Sequence, residues 1–298
     1  MTTTTVHLQV GLLRKRLQFR TVFGWVMTGV VSLCTLLALA PVLAVLGFVL
    51  ARGIRRLNLD LFTQLPPPPG WSGGGFGNAL IGTLMVVLLG TVIAVPFGVL
   101  TAVYLSEFSN ANAHQQQMAR WVRLGVNVLA GVPAILAGVF AYGLLVATGI
   151  LGYSAVAAGV ALAVLMLPTV IRTADEALQL VPQEMRWASA GLGASHYDTV
   201  FRVVLPAALP SLLTGLLLAM ARAMGESAAL IFTALFSPFW PRSLLEPIAT
   251  LSVLIYNYAT VPYPAQQELA WAASFFLVLL ILMASVVSRL VIRRHMQR

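Results

Sequence analysis

Arg222 and Glu226 stand four residues apart in the stretch ARAMGESAAL, inside an apolar run that begins SLLTGLLLAM at Ser211. A charge at the centre of a bilayer costs roughly 2.5–3.5 kcal/mol on insertion scales, so two of them require a reason. On a helix these positions share a face and can neutralise one another. One use is a buried ion pair that locks two helices together. The other is an anion path. A planar guanidinium holds two oxygens of an oxyanion at once, and a neighbouring carboxylate competes with the anion and keeps binding weak enough for release. Ionisable residues in apolar segments more often mark pathways, which favours the second use. Ser227 adds a hydroxyl, although serine in such a helix more often bonds its own backbone.

Other residue types that do chemistry are present without the spacing that chemistry needs. Ser195, His196 and Asp198 are triad types, but adjacent helical positions point in different directions and form no relay among themselves. The four histidines are scattered, and the single cysteine, Cys34, makes no internal disulfide and no cysteine-rich metal site. GGGFG at Gly73–Gly77 is not a nucleotide loop, because a P-loop needs Gly-Lys followed by Ser or Thr and the only lysine is Lys15. A membrane-embedded phosphotransfer enzyme using Arg222 and Glu226 is the enzymatic alternative that survives.

The elements that must position these residues are membrane helices. The chain is 59% hydrophobic and 9% charged, against ~25% charged in ordinary globular chains, and its mean hydropathy is +0.90. The net charge of +9 is no nucleic-acid footprint, which requires clustered basic residues on a solvated face. Here Arg14, Lys15, Arg16 and Arg20 precede the first apolar run, and Arg289, Arg293, Arg294 and Arg298 end the last. A crossing needs ~20 apolar residues. Runs of that size over Phe23–Ala51, Asn78–Tyr104, Trp121–Ala147, Ser154–Ile171, Leu209–Leu235 and Ala270–Ile292 predict an all-α polytopic protein with six transmembrane helices. Residues 1–22 form an N-terminal segment and 23–298 a single transmembrane domain. The first run is too long for a cleavable signal. Ile248–Ala259, shorter and flanked by prolines, reads as a re-entrant or surface-lying segment. By the positive-inside rule both termini are cytoplasmic, with Arg120, Arg123, Arg172, Arg186 and Arg202 on that side. Arg52, Arg55 and Arg56 are a local exception that would guide an anion or dock an external protein.

Residues 172–206 form the longest inside segment. Pro182 suits the first turn of a helix through Leu192, and Gly193 suits its C′ position. A second short helix, with Tyr197, Phe201 and Val204 on one face, is expected to run to Pro206, giving a compact elbow. From Trp187 the order is Trp-Ala-Ser, three residues, Gly193, nine residues, then Val203-Val204-Leu205-Pro206.

This spacing resembles the EAA loop of ABC importer permeases: Glu-Ala-Ala, three residues, Gly, nine residues, Ile-x-Leu-Pro. The resemblance implies a type I permease fold in which the loop is a coupling helix docking in a groove of a separate ATPase. The residues concerned are Glu184, Trp187, Ala188, Ser189, Gly193, Leu205 and Pro206. Small Ala188, Ser189 and Ala194 would allow close approach of the partner. Trp187 stands where the family has glutamate and Ser189 replaces an alanine, so Glu184, one turn earlier, is expected to supply the carboxylate.

GGGFGNALIGTL, VPFGVLTAVYLSE, AGVPAILAGVF, ARAMGES and LIYNYA look like the phosphate-specific members of this family. That likeness implies a non-catalytic subunit of a bacterial cytoplasmic-membrane importer for inorganic phosphate, with Arg222, Glu226 and Ser227 on the pathway. It further implies a homologous second permease, an ATPase dimer that binds ATP and magnesium, and an external phosphate-binding protein. This chain would need no cofactor of its own and no nucleic acid, and membrane lipid would surround it. A permease for another oxyanion, sulfate or molybdate, is the rival substrate reading.

Overall fold

A computed structural model describes residues 19–109 and 112–295. Arg14, Lys15, Arg16, Arg298 and most of the segment expected over 1–22 lie outside the described residues. In chain order the α-helices are α1 (Phe19–Gly53), α2 (Asp60–Thr63), α3 (Gly77–Val103), α4 (Ala113–Gly131), α5 (Ala134–Ala141) and α6 (Ala155–Gln179). They continue with α7 (Gln183–Gly191), α8 (His196–Thr199), α9 (Leu205–Met224), α10 (Ala228–Thr233), α11 (Leu251–Ala259) and α12 (Pro264–His295). Wide π turns extend α3 over Tyr104–Phe108, α5 over Tyr142–Val146 and α8 over Val200–Val204. Among the described residues there is no strand. Five stretches among the described residues are long and apolar enough to cross a membrane, or six if the bent pair α4–α5 counts as one.

The chain divides into two compact units, one ending at Phe48 and the other beginning at Val49. The first holds most of α1, whose side chains are apolar all round, as suits a helix that meets no aqueous face. In the second unit α3 and α6 form the centre. Their contact depends on small residues, which let membrane helices approach closely. A methyl group on Gly159 of α6 would stand 2.7 Å from Leu89 Cβ, and one on Gly98 of α3 would stand 2.6 Å from Val170 Cγ1. Val86, Ala94, Leu162 and Val170 are fully buried along this seam.

Several boundaries differ from those read in the sequence. The third apolar run is not one helix: α4 and α5 meet at Val132–Pro133 with a bend of 103°. Proline has no N–H for the preceding turn, so the chain turns there although it stays apolar. The fourth helix does not stop at Ile171 but runs to Gln179, on an amphipathic last stretch that a hydropathy window ends too early. The fifth run is broken at Gly225–Ser227, so that crossing spans His196–Met224 rather than Leu209–Leu235. Ile248–Ala259 yields the short helix α11, its first turn buried and Tyr256 and Ala259 exposed. At ~1.5 Å per residue, its 9 residues reach half of a ~30 Å hydrocarbon core.

The elbow is also redrawn. Pro182 is the N-cap of α7 and Gly193 has φ +85°, the left-handed conformation expected past a helix end. The second elbow helix, however, does not finish at Pro206. It passes through the π turn Val200–Val204 into α9, the wider turn accommodating a proline that gives no N–H back. Tyr197, Phe201 and Val204 do not share a face: Val200 and Val204 are buried, whereas Tyr197 and Phe201 are exposed and stack at 6.4 Å.

Gly159→Val is expected to destabilise the purified protein by about 1–3 kcal/mol through overpacking against α3. Gly125→Ala, whose new methyl meets nothing within 4 Å, should cause no loss. Thermal unfolding in detergent compares the two.

Candidate functional site

Arg222 and Glu226 are not on one continuous helix. α9 ends at Met224, with Gly225 N–H returning to Arg222 O at 3.2 Å and Glu226 N–H to Ala223 O at 3.1 Å. Glu226 then acts as a cap for the next helix: its Oε1 accepts the N–H of Ala228 at 3.0 Å. Its carbonyl accepts the Ser252 hydroxyl of α11 at 2.7 Å. The i,i+4 ion pair expected from spacing is therefore absent, because the helix that would create it stops between the two residues. Among the described residues, the Arg222 guanidinium makes neither an ion pair nor a hydrogen bond.

Both residues nevertheless face the same space. A cavity of about 370 Å³ is lined by the ends of α4 and α5 at their break, by α6, and by α9 with Glu226. That volume falls within the ~300–1,000 Å³ of small-molecule pockets. Its charged lining is Arg172, Glu176, Arg222 and Glu226. Arg172 and Glu176 are one turn apart on α6, and Arg172 Nη2 donates to Asn127 Oδ1 of α4 at 2.8 Å. The sequence reading assigns both to the inside segment 172–206, beyond the fourth span, whereas they belong to α6. The signal was Arg172-Thr173-Ala174-Asp175-Glu176 continuing the helical period beyond Ile171. Ser227 is not among the cavity-lining residues; its carbonyl accepts the Ile231 N–H at 3.0 Å.

Two guanidiniums on one small cavity can grip a tetrahedral oxyanion by paired hydrogen bonds. Two carboxylates, Glu176 from α6 and Glu226 after α9, line the same cavity and balance the formal charge, so an anion there meets donors without an uncompensated positive well.

The elbow residues divide into two groups. Glu184, Trp187 and Ala188 are exposed on α7, with Trp187 66% exposed, and Gly193 is exposed at the bend. Ser189 points inward, its hydroxyl 2.9 Å from Thr199 Oγ1 of α8, so it fastens the elbow internally rather than offering a small surface to a partner. Leu205 and Pro206 lie at the start of α9, beyond the elbow. Ser195 caps α8 by accepting the Asp198 N–H and donates to Asp198 Oδ2 at 2.6 Å. His196 instead places Nε2 3.0 Å from Glu107 O, and no relay connects the three. Arg56 donates to the carbonyls of Gly73 and Ala265 and pairs with Glu268 at 3.8 Å. It is a structural tie, whereas Arg52 and Arg55 stay exposed.

A family model described as a binding-protein-dependent transport system inner membrane component matches residues 94–297. The chain belongs to this family. It is 38% identical over 275 residues to the phosphate transport system permease protein PstA of Haemophilus influenzae, covering 92% of this chain and 95% of that one. It is 36% identical to PstA of Yersinia pestis, with 88% of each chain covered. Among solved structures it matches a bacterial alginate ABC transporter in complex with its alginate pentasaccharide-bound periplasmic protein. The TM-score is 0.65, with 94% of this chain and 98% of that one covered at 14% identity. The fold is that of the ABC importer permeases, and the family's members are multi-pass transport components.

Glu226→Ala is expected to cost about 1 kcal/mol relative to Glu226→Gln, which keeps the oxygen that receives Ala228 N–H. Denaturation of the two purified variants side by side measures the difference.

Proposed function

We propose that this chain is the permease subunit through which inorganic phosphate crosses the cytoplasmic membrane, driven by ATP hydrolysis on a separate subunit. The observation that carries the reading is the shared cavity of Arg172 and Arg222, in a chain whose relatives are phosphate permeases. Among the described residues the Arg222 side chain has no partner, and it is the primary phosphate contact. Arg172, oriented by Asn127, supplies a second set of donors. Glu176 and Glu226 offset the two cations so that phosphate passes rather than stays. Ser227 stands behind the cavity and has at most a supporting part.

The exposed face of α7, with Trp187 and Glu184, docks in the ATPase groove, and Gly193 sets the angle between the two elbow helices. The complete transporter contains a homologous second permease, two ATPase subunits that bind ATP and magnesium, and an external phosphate-binding protein. Both termini face the cytoplasm, consistent with Arg120 and Arg202 near the elbow end. ATP-driven closure of the ATPase dimer moves the elbow and switches the cavity between the two sides of the membrane.

Arg222→Ala is expected to lower uptake of labelled phosphate by about 100-fold or more, the scale of losing a main electrostatic contact to a charged substrate. The variant should still copurify with the ATPase. Wild-type uptake in that variant would overturn the pathway reading. Sulfate or molybdate that competes as well as unlabelled phosphate would point to the rival oxyanion reading. Glu184→Ala is expected to reduce phosphate-coupled ATP hydrolysis, and unchanged coupling would show that Trp187 docks without it.

A further inference from the structure

The π turn Tyr104–Phe108 at the end of α3 is held by side chains from three other elements. Arg186 of α7 grips Glu107 with two nitrogens, Nη2 to Oε1 at 2.7 Å and Nε to Oε2 at 3.3 Å. The same guanidinium donates to Leu178 O at 3.0 Å and Val181 O at 2.6 Å, at the end of α6 and just beyond it. The pair is well buried, with 14% of the Arg186 side chain and 5% of the Glu107 side chain exposed. Next to it, His196 Nε2 lies 3.0 Å from Glu107 O, and Phe108 packs on the rings of His196 and Tyr197 at 4.8 and 5.0 Å. On the other side of the turn, Arg123 of α4 donates to Leu105 O at 3.2 Å and to Asp175 Oδ2 of α6 at 2.9 Å.

A buried ion pair is a poor device for stability, since desolvation offsets most of its attraction; its better-attested use is to fix one arrangement among several. A fork-to-carboxylate pair fixes angle and register together, which a sliding apolar contact does not. α7 has no other ion pair to the bundle among the described residues, and its outer face is exposed. The Glu107–Arg186 pair is thus the rigid connection from the elbow to the α3–α6 centre. The π turn passes the restraint to α4, whose far end lines the cavity.

We propose that Glu107 and Arg186 are positioning residues for transport: their buried pair makes α7 and the α3–α6 centre move together, so that displacement of the elbow reaches the cavity. This rests on the ATPase-driven reading above. The test uses the complete transporter in vesicles, measuring labelled phosphate moved per ATP hydrolysed, with ATPase copurification as the assembly control. Arg186→Gln and Glu107→Gln should each lower that ratio about ten-fold while the complex stays assembled. The double variant should be no worse than either single one, because both remove the same connection. A wild-type ratio in the single variants, or losses that multiply in the double, would overturn the proposal. If Arg186→Gln does not assemble, Arg186→Lys decides: it keeps the charge but loses the fork, and an unchanged ratio would show the pair to be needed only for folding. An unaltered transporter that moves no phosphate, or holds no ATPase, would instead overturn the functional reading on which the proposal stands.

Discussion

Inside an apolar slab a helix that stops must still find partners for the backbone groups it leaves open, because no water is present to take them. That constraint organises this molecule around its helix breaks. At the α4–α5 break, Val132 N–H returns to Leu129 O at 3.2 Å, and Pro133 contributes no donor in need of a partner. At the α9–α10 break, the Glu226 carboxylate takes the Ala228 N–H and the Ser252 hydroxyl reaches the Glu226 carbonyl. At the entry to α11, Thr83 Oγ1 accepts the Leu251 N–H at 2.8 Å. The breaks also sit together. A Cβ on Gly138 of α5 would stand 2.6 Å from Ala229 Cα of α10, so the short helices that follow the first two breaks pack backbone to backbone. The cavity lies where these breaks meet α6.

The same breaks explain the two charges in ARAMGESAAL better than a mutual ion pair does. Arg222 lies in the last turn of α9, where the helix end is partially negative, and Glu226 precedes α10, where it is partially positive. Such placements are worth about 0.3–1 kcal/mol each, rising to about 2 kcal/mol in partly buried sites. Set against an insertion cost of ~2.5–3.5 kcal/mol per charge, the helix ends offset part of the penalty. Opening onto a cavity rather than hydrocarbon removes much of the rest. Each charge is stabilised by backbone, which leaves the Arg222 guanidinium available to a ligand in a way that a tight Arg–Glu pair would not.

What the sequence made legible was whatever depends on residue type at a fixed offset. Pro182 before α7 and Gly193 past its end follow from residue type alone, whereas the polar stretch Arg222–Ser227 reads as part of one helix and is where α9 stops. What it concealed depends on hydrogen-bond continuity, which apolar length does not measure. The third and fifth runs read as unbroken because Pro133 and Gly225 themselves barely lower a window average, yet a proline or a glycine there ends the ladder. Arg172 and Glu176 are the converse case: polarity ends the apolar run at Ile171, although α6 continues to Gln179 as a helix that turns charged residues to the cavity. Their partnership with Arg222 joins residues 50 positions apart in the chain, and no local pattern encodes it. The capping role of Glu226 likewise follows only once the helix is known to stop before it.

The continuity of the second elbow helix into α9 bears on how force would travel. His196–Met224 is a single apolar stretch of 29 residues, about 40 Å long at 1.5 Å per residue, with the elbow at one end and Arg222 at the other. A stiff rod of that kind carries displacement along its axis, but it passes rotation only through the π turn Val200–Val204, the place where its hydrogen-bond pattern is least regular. The Glu107–Arg186 pair holds the other elbow helix to the π turn that ends α3, and α3 packs on α6, the helix that carries Arg172. Two connections therefore leave the elbow, one toward each helix that bears a cavity arginine. On the coupling proposed here, pushing the elbow changes the position of Arg222 relative to Arg172. Because, among the described residues, neither arginine is ion-paired to a carboxylate, that change alters the grip on an anion without first breaking an ion pair.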